Sequence, residues 1–228
     1  MASVVFVNAL QVNFDSVLTV EHSGMVNMFK SLEDSGLKGF LEGSGWVYEE
    51  AVLEFFTNAK ILAGTIVSLV GARRIAITKD TLIEVFELTS EGITNFLTIP
   101  KETALEIRRH FSGSDEPFKA PNKKRDMPIE FRLLHDIVAK ALCTKAGSFD
   151  QVTSETLDLM IAITAGLKVN WAQILFQVLL NMVQTLNDNL RVSPFRSVPT
   201  AYSEGESGRI GEAEFPESTN KSVSTNLY

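Results

Sequence analysis

The chain has 228 residues, of which 45 % are hydrophobic and fifteen are phenylalanine, enough to bury one sizeable core or two small ones. Its formal net charge of −7 excludes a general attraction to nucleic acid or to an anionic membrane, while leaving room for a local basic site. The single cysteine, Cys143, excludes an intrachain disulfide and suits a reducing, intracellular compartment, nucleus or cytoplasm.

The first residues carry no basic segment ahead of a short apolar run, so no signal peptide is expected. No run reaches the roughly 18 apolar residues that cross a bilayer, so no membrane partner is expected either. Val5, Val7, Val12 and Phe14 alternate loosely and predict an extended arm or short strand over residues 1–22.

Residues 23–187 read as a helical domain. Ser23 is placed to cap a helix through Met25, Phe29 and Leu32 that ends near Gly36. Leu37, Phe40 and Leu41 predict a short helical turn packed inward. Tyr48, Val52, Phe55 and Ala59 recur at helical spacing, with Glu49, Glu50 and Glu54 near the positive N-terminus and Gly64 as a stop. A hairpin follows at 65–78, built from β-branched residues around Gly71-Ala72, which suits a type II′ turn. In that register Ile66 faces Ile77 and Ser68 faces Ile75. Thr78 can cap the next helix, whose buried stripe is Leu82, Val85 and Phe86 and whose end lies before Gly92.

Pro100 suits a helix first turn, and Ala104, Ile107 and Phe111 share a face of that helix. Residues 112–126 have the composition of a loop. Asp126 and Pro128 announce a helix through Phe131, Leu134, Ile137, Val138 and Ala141. Ser148 with Gln151, or Thr153, can cap the segment Leu157–Leu167, which is apolar on nearly every side and therefore central. Asn170 with Gln173 caps a last helix with the stripe Trp171, Ile174, Leu175, Val178, Leu179, Met182, Val183 and Leu186. Residues 188–228, rich in Ser, Glu, Gly and Asn, are expected to form a disordered tail. The expected fold is mostly α with a small β-hairpin or sheet, a compact helical domain plus that tail.

Chemistry is sparse. Cys143, His22, His110 and His135 stand at no metal-ligand spacing. Ser44 and Ser112 lie in small-residue loops without the G-x-S-x-G pattern, and no phosphate loop occurs. Asp15, Asp80 and Asp136 read as solvated carboxylates and caps. No catalytic residue, metal or cofactor is expected. One segment runs against the global charge: residues 101–125 hold seven basic and four acidic side chains. Within it Arg108, Arg109, Lys119, Lys123, Lys124 and Arg125 interleave with Phe111 and Phe118, and a mobile loop of that kind can touch phosphates. A solvated linker is the ordinary reading of the same run.

The run Val52–Ala59 (VLEFFTNA), the hairpin Ile66–Ile75 (IVSLVGARRI), Ile75–Asp80 (IAITKD), Val85–Leu88 (VFEL) and Glu130–His135 (EFRLLH) together resemble the plant transposon protein domain of plant retroelement-derived proteins. The resemblance spans residues 25 to 186 and implies an origin in a transposable element and a mostly helical fold with a small sheet. It supplies no catalytic residues. The functional expectation is a non-enzymatic protein-interaction or assembly module, binding another protein or itself. The alternative is a nucleic-acid-binding accessory protein that uses residues 108–125.

Overall fold

The computed structural model describes residues 6–8, 12–17, 21–43, 46–114, 116–143 and 150–192. The chain divides into two units, Met1–Ser193 and Pro194–Tyr228, and the first holds all of these residues. Its elements run β1 (Phe6–Asn8), α1 (Phe14–Val17), α2 (Ser23–Asp34), α3 (Lys38–Leu41), β2 (Trp46–Tyr48), α4 (Glu49–Asn58), β3 (Lys60–Leu62), β4 (Thr65–Val70), β5 (Arg73–Ile77) and α5 (Lys79–Phe86). They continue with α6 (Lys101–His110), β6 (Asn122–Lys123), α7 (Ile129–Ala141), β7 (Gln151–Val152), α8 (Ser154–Thr164) and α9 (Trp171–Val192), and 3-10 turns at Phe96–Thr98 and Lys124–Asp126. The fold is mostly helical with a small amount of antiparallel sheet, as expected: β1-β2, β3-β4-β5 and β6-β7.

The all-round apolar segment is the central helix. Thr153 caps α8 through the Thr156 amide, and Leu157, Leu159, Met160, Ile161, Ala162 and Ile163 are all buried. Leu134, Ile137 and Val138 of α7, Phe29 and Leu32 of α2, Phe111 and Trp171 close round it. Full burial of each such side chain is worth about 1.5–3 kcal/mol relative to exposure, so this helix needs no polar face. A second, smaller core joins Ala59, Ile66, Phe176 and Val183, backed by Phe55, Phe56, Ile61, Leu179 and Leu180. Helix α9 serves both cores, with Leu175 in the first and Phe176 in the second.

The hairpin has the expected register, Ile66 opposite Ile77 and Ser68 opposite Ile75, with Gly71 at φ +58° in its turn. Thr78 forms a reciprocal capping box with Thr81, and Asn170 Oδ1 accepts the Gln173 amide. Elsewhere the chain departs from expectation. Trp46–Tyr48 is a strand, paired with Phe6–Asn8 from the N-terminal arm, and α4 begins only at Glu49. Because α4 packs through Phe55 and Phe56, the expected stripe fails at its start and Val52 is exposed. His22, not Ser23, caps α2. Gly64 does not stop a helix; it turns a further strand, β3, back onto β4. Val85 faces outward, while Leu82, Ile83 and Phe86 pack inward. Residues 188–192 continue α9, past the expected start of the tail, and residues 193–228 lie outside the described residues.

Candidate anion-binding cleft and open sheet face

Residues 112–126 do not behave as a linker. Phe111 and Phe118 are both buried and peg the segment at two points. The Phe118 amide donates to the Arg108 carbonyl at 2.9 Å and the Gly113 amide to the Asp126 carbonyl at 3.2 Å. Strand β6 then pairs with β7, Asn122 opposite Val152 and Lys123 opposite Gln151, and the Lys124 amide donates to the Asp150 carbonyl at 2.9 Å. The two aromatics that interleave with the basic residues in the sequence are therefore spent on the core.

The six basic residues separate. Arg108 turns toward α8, its guanidinium 3.7 Å from Asp158, with a buried Nε that makes no hydrogen bond. Burial pushes the Asp158 carboxyl up and Arg108 pulls it back. Arg109 is exposed in the last turn of α6. Lys119 lines a loop cavity with Glu116 and Asp126. Only Lys123, Lys124 and Arg125 stay together. They are joined by a residue the sequence reading did not single out, Arg132 of α7, around a cleft of about 320 Å³ with Asp150 at its edge. Arg132 was hidden because it occupies a polar slot in an ordinary amphipathic helix. Its neighbourhood to Lys124 arises only when the 3-10 turn folds the chain back onto α7.

The cleft is wired in detail. Lys124 Nζ lies 2.6 Å from Asp136 Oδ1 and 3.9 Å from Asp150 Oδ1. Arg125 Nε stands 3.7 Å from its neighbour Asp126. Arg132 Nε donates to the Met127 carbonyl at 2.6 Å. Below Lys124 lies His135, only 1 % exposed, with Nδ1 3.7 Å from Asp136 and no hydrogen bond at either ring nitrogen. Desolvation pushes its pKa down and Lys124 adds to this, while Asp136 and the Gln151 backbone oppose it, so the neutral form of the ring is favoured.

The other candidates for chemistry are dispersed. His22 is a helix cap, His110 ends α6, and Cys143 packs at the edge of the main core. Ser112 shares a 2.9 Å hydroxyl contact with Ser114, and Ser44 lies outside the described residues. Among the described residues no group of three His, Cys, Asp or Glu could hold a metal ion, and no helix is long and apolar enough to cross a membrane.

A second surface lies on the three-stranded sheet. One face, with Ile66 and Ser68, is covered by α4 and α9, and Ser68 Oγ donates to the Phe55 carbonyl at 2.7 Å. The pleat puts Val67 and Leu69 on the other face. The register adds Lys60 and Leu62 from β3 and Arg74 and Ala76 from β5. Leu62 is 52 % and Leu69 49 % exposed. From Lys60 to Ile77 the sequence carries three cations and no acid. On α4, Leu53 is 60 % exposed beside exposed Val52 and Glu50. A further apolar groove, of about 420 Å³, runs between exposed Leu97 and Leu105 and ends at the Arg108–Asp158 pair.

Comparison with protein-family models, with curated proteins and with solved structures finds no match to this chain.

Proposed function

We propose that the chain is a non-enzymatic assembly module in which the open sheet face of one copy receives helix α4 of the next. The observation that carries this reading is the pairing of two exposed surfaces of opposite character. The sheet offers Leu62, Val67 and Leu69 flanked by Lys60 and Arg74, without an acid. Helix α4 offers Val52 and Leu53 flanked by Glu49 and Glu50. Because α4 covers the opposite face of the same sheet, the two surfaces look away from each other. A contact between them is head-to-tail and propagates rather than closing as a two-fold dimer. Burying the exposed remainder of each leucine contributes on the order of 1 kcal/mol. Against the cost of association this gives weak, concentration-dependent assembly whose rate falls with salt. Descent from a mobile element is proposed alongside, on the resemblance over residues 25 to 186, carried by the runs within 52–88 and by Glu130–His135.

Sedimentation velocity across a concentration series tests the reading. Leu69→Asp spoils the receiving face and Leu53→Lys the donating helix, so each variant alone stays monomeric. Mixed, they form a one-to-one dimer and stop, since each keeps one intact surface. A wild-type chain that is monomeric at every concentration, or a mixture that does not pair, overturns the proposal. Nucleic-acid binding along residues 108–125 is the weaker reading, because Arg108 is paired with Asp158 and Phe111 and Phe118 are in the core.

A further inference from the structure

We propose that the cleft between the Lys124–Asp126 turn and α7 is a binding site for a small phosphate-bearing ligand, such as a diphosphate or phosphate monoester. Arg132 is the centre of the argument. Its Nε–H is committed to the Met127 carbonyl at 2.6 Å, which fixes the plane of the guanidinium. The two terminal nitrogens make no hydrogen bond among the described residues, so the outer edge of the fork is left for a ligand. A guanidinium held this way loses little entropy on gripping an oxyanion through two parallel hydrogen bonds.

Lys124 supplies the second element. Asp136 anchors its ammonium at 2.6 Å, leaving that group further donors. Lys123 and Arg125 border the cleft on the same short segment, and the β6-β7 pairing holds that segment in register. The walls are set by backbone hydrogen bonds, not by long side chains alone.

Size and charge select the ligand. A cleft of about 320 Å³ is at the small end of ligand sites, room for one or two phosphate groups but not for a polymer. Four cations, Lys123, Lys124, Arg125 and Arg132, face three nearby carboxylates, Asp126, Asp136 and Asp150, leaving one positive charge uncompensated. A tetrahedral oxyanion can meet the Arg132 fork along one edge and the Lys124 ammonium at another oxygen. A planar carboxylate that fills the fork must share one of the same two oxygens with the lysine, so it meets the two cations in poorer geometry than a tetrahedral anion does. Arg108, Arg109 and Lys119 do not line this cleft: Arg108 pairs with Asp158, Arg109 ends α6 and Lys119 lines the loop cavity, so the cleft's own lining makes no basic track for a nucleic-acid backbone.

Titration calorimetry of the full chain with pyrophosphate, inorganic phosphate and acetate provides the test, with a single-stranded oligonucleotide series as a further arm. Pyrophosphate is expected to bind, inorganic phosphate more weakly, and acetate most weakly of the three. Arg132→Lys keeps the charge and loses the fork, and is expected to weaken pyrophosphate by about tenfold. Arg125→Gln is expected to weaken it less, and Arg109→Gln and Lys119→Gln are expected to leave it unchanged. If Arg132→Lys perturbs the fold through the Met127 contact, seen by circular dichroism, the ordering of Arg125→Gln against Arg109→Gln still decides. Failure of the wild-type chain to bind pyrophosphate overturns the proposal, and so does equal loss in all the variants. Oligonucleotide affinity that grows with length and depends on Arg109 and Lys119 overturns it in favour of a nucleic-acid track.

Discussion

Trp171 Nε1 donates a 2.8 Å hydrogen bond to the carbonyl oxygen of Ser35, although 136 residues separate the two, and both residues are buried. The bond joins the C-terminal end of α2 to the first residue of α9. It fixes where the longest helix enters the main core and therefore how it reaches the smaller core and the sheet beyond. Replacing Trp171 by Phe keeps an apolar ring but leaves the Ser35 carbonyl buried without this partner. Such an orphaned acceptor costs about 1–3 kcal/mol. The urea midpoint is expected to fall with the slope of the transition unchanged. An unchanged midpoint would show that the carbonyl finds another donor and that the indole acts by volume alone.

Features set within a few residues were legible in the sequence. The Thr78, Thr153 and Asn170 caps and the β4–β5 register follow from side chains next to the backbone they satisfy. The position of α8 followed from its lack of a polar face. Features that depend on distant chain were not legible. Phe6–Asn8 and Trp46–Tyr48 are three residues each, too short to show a period. Arg132 joins Lys124 only through a fold-back that periodicity cannot report. The open sheet face is hidden in the sequence for a related reason: Leu62 belongs to a three-residue strand lying between the helical spacing of α4 and Gly64, which reads as a helix stop.

Gly92 and Gly166 separate close approach from backbone conformation. Both have positive φ, +118° and +63°. A Cβ on Gly92 would strike the Lys168 carbonyl, whereas one on Gly166 meets nothing. That carbonyl accepts the Ile93 amide at 2.9 Å and cannot withdraw without breaking the Ile93–Val169 bridge. Gly166→Ala is expected to cost about 1–2 kcal/mol, the left-handed penalty alone. Gly92→Ala is expected to cost clearly more, read as a larger fall in the thermal midpoint. Equal losses would mean that the Lys168 contact relaxes freely.

His135 makes the fold sensitive to mild acid. Burial depresses its folded-state pKa below the unfolded value of about 6.5, with Lys124 acting in the same direction and Asp136 against it. In the window between the two values the unfolded chain binds the extra proton. The contribution is thus present above the unfolded pKa and lost as pH falls toward the folded one, at up to about 1.4 kcal/mol per pH unit. His135→Leu removes both the titration and two unpaired buried nitrogens. At about pH 7.5 that variant is expected to match or exceed the wild type in stability, and as pH falls below about 6.5 to lose less. Parallel loss in both proteins would place the acid sensitivity elsewhere.

The turn between β3 and β4 is the place where the sequence works against its own structure. Ala63 and Gly64 both have positive φ, +49° and +76°, and they are the only residues between the paired Leu62 and Thr65. That is the type I′ geometry, which favours Asn-Gly and charges an L-alanine about 1–2 kcal/mol for its left-handed backbone. Ala63 is exposed, so a substitution there disturbs no packing. Ala63→Asn is expected to raise stability by about 0.5–1 kcal/mol, and Ala63→Val, with a branched Cβ in the same geometry, to lower it. A urea series on the three chains tests the order. The same variants separate stability from assembly: the Ala63 side chain stands at the hairpin tip, outside the Leu62–Val67–Leu69 patch. Sedimentation of Ala63→Asn should therefore match the wild type while its urea midpoint rises. A change in both together would mean that the sheet edge, and not the patch of side chains, sets the contact between copies.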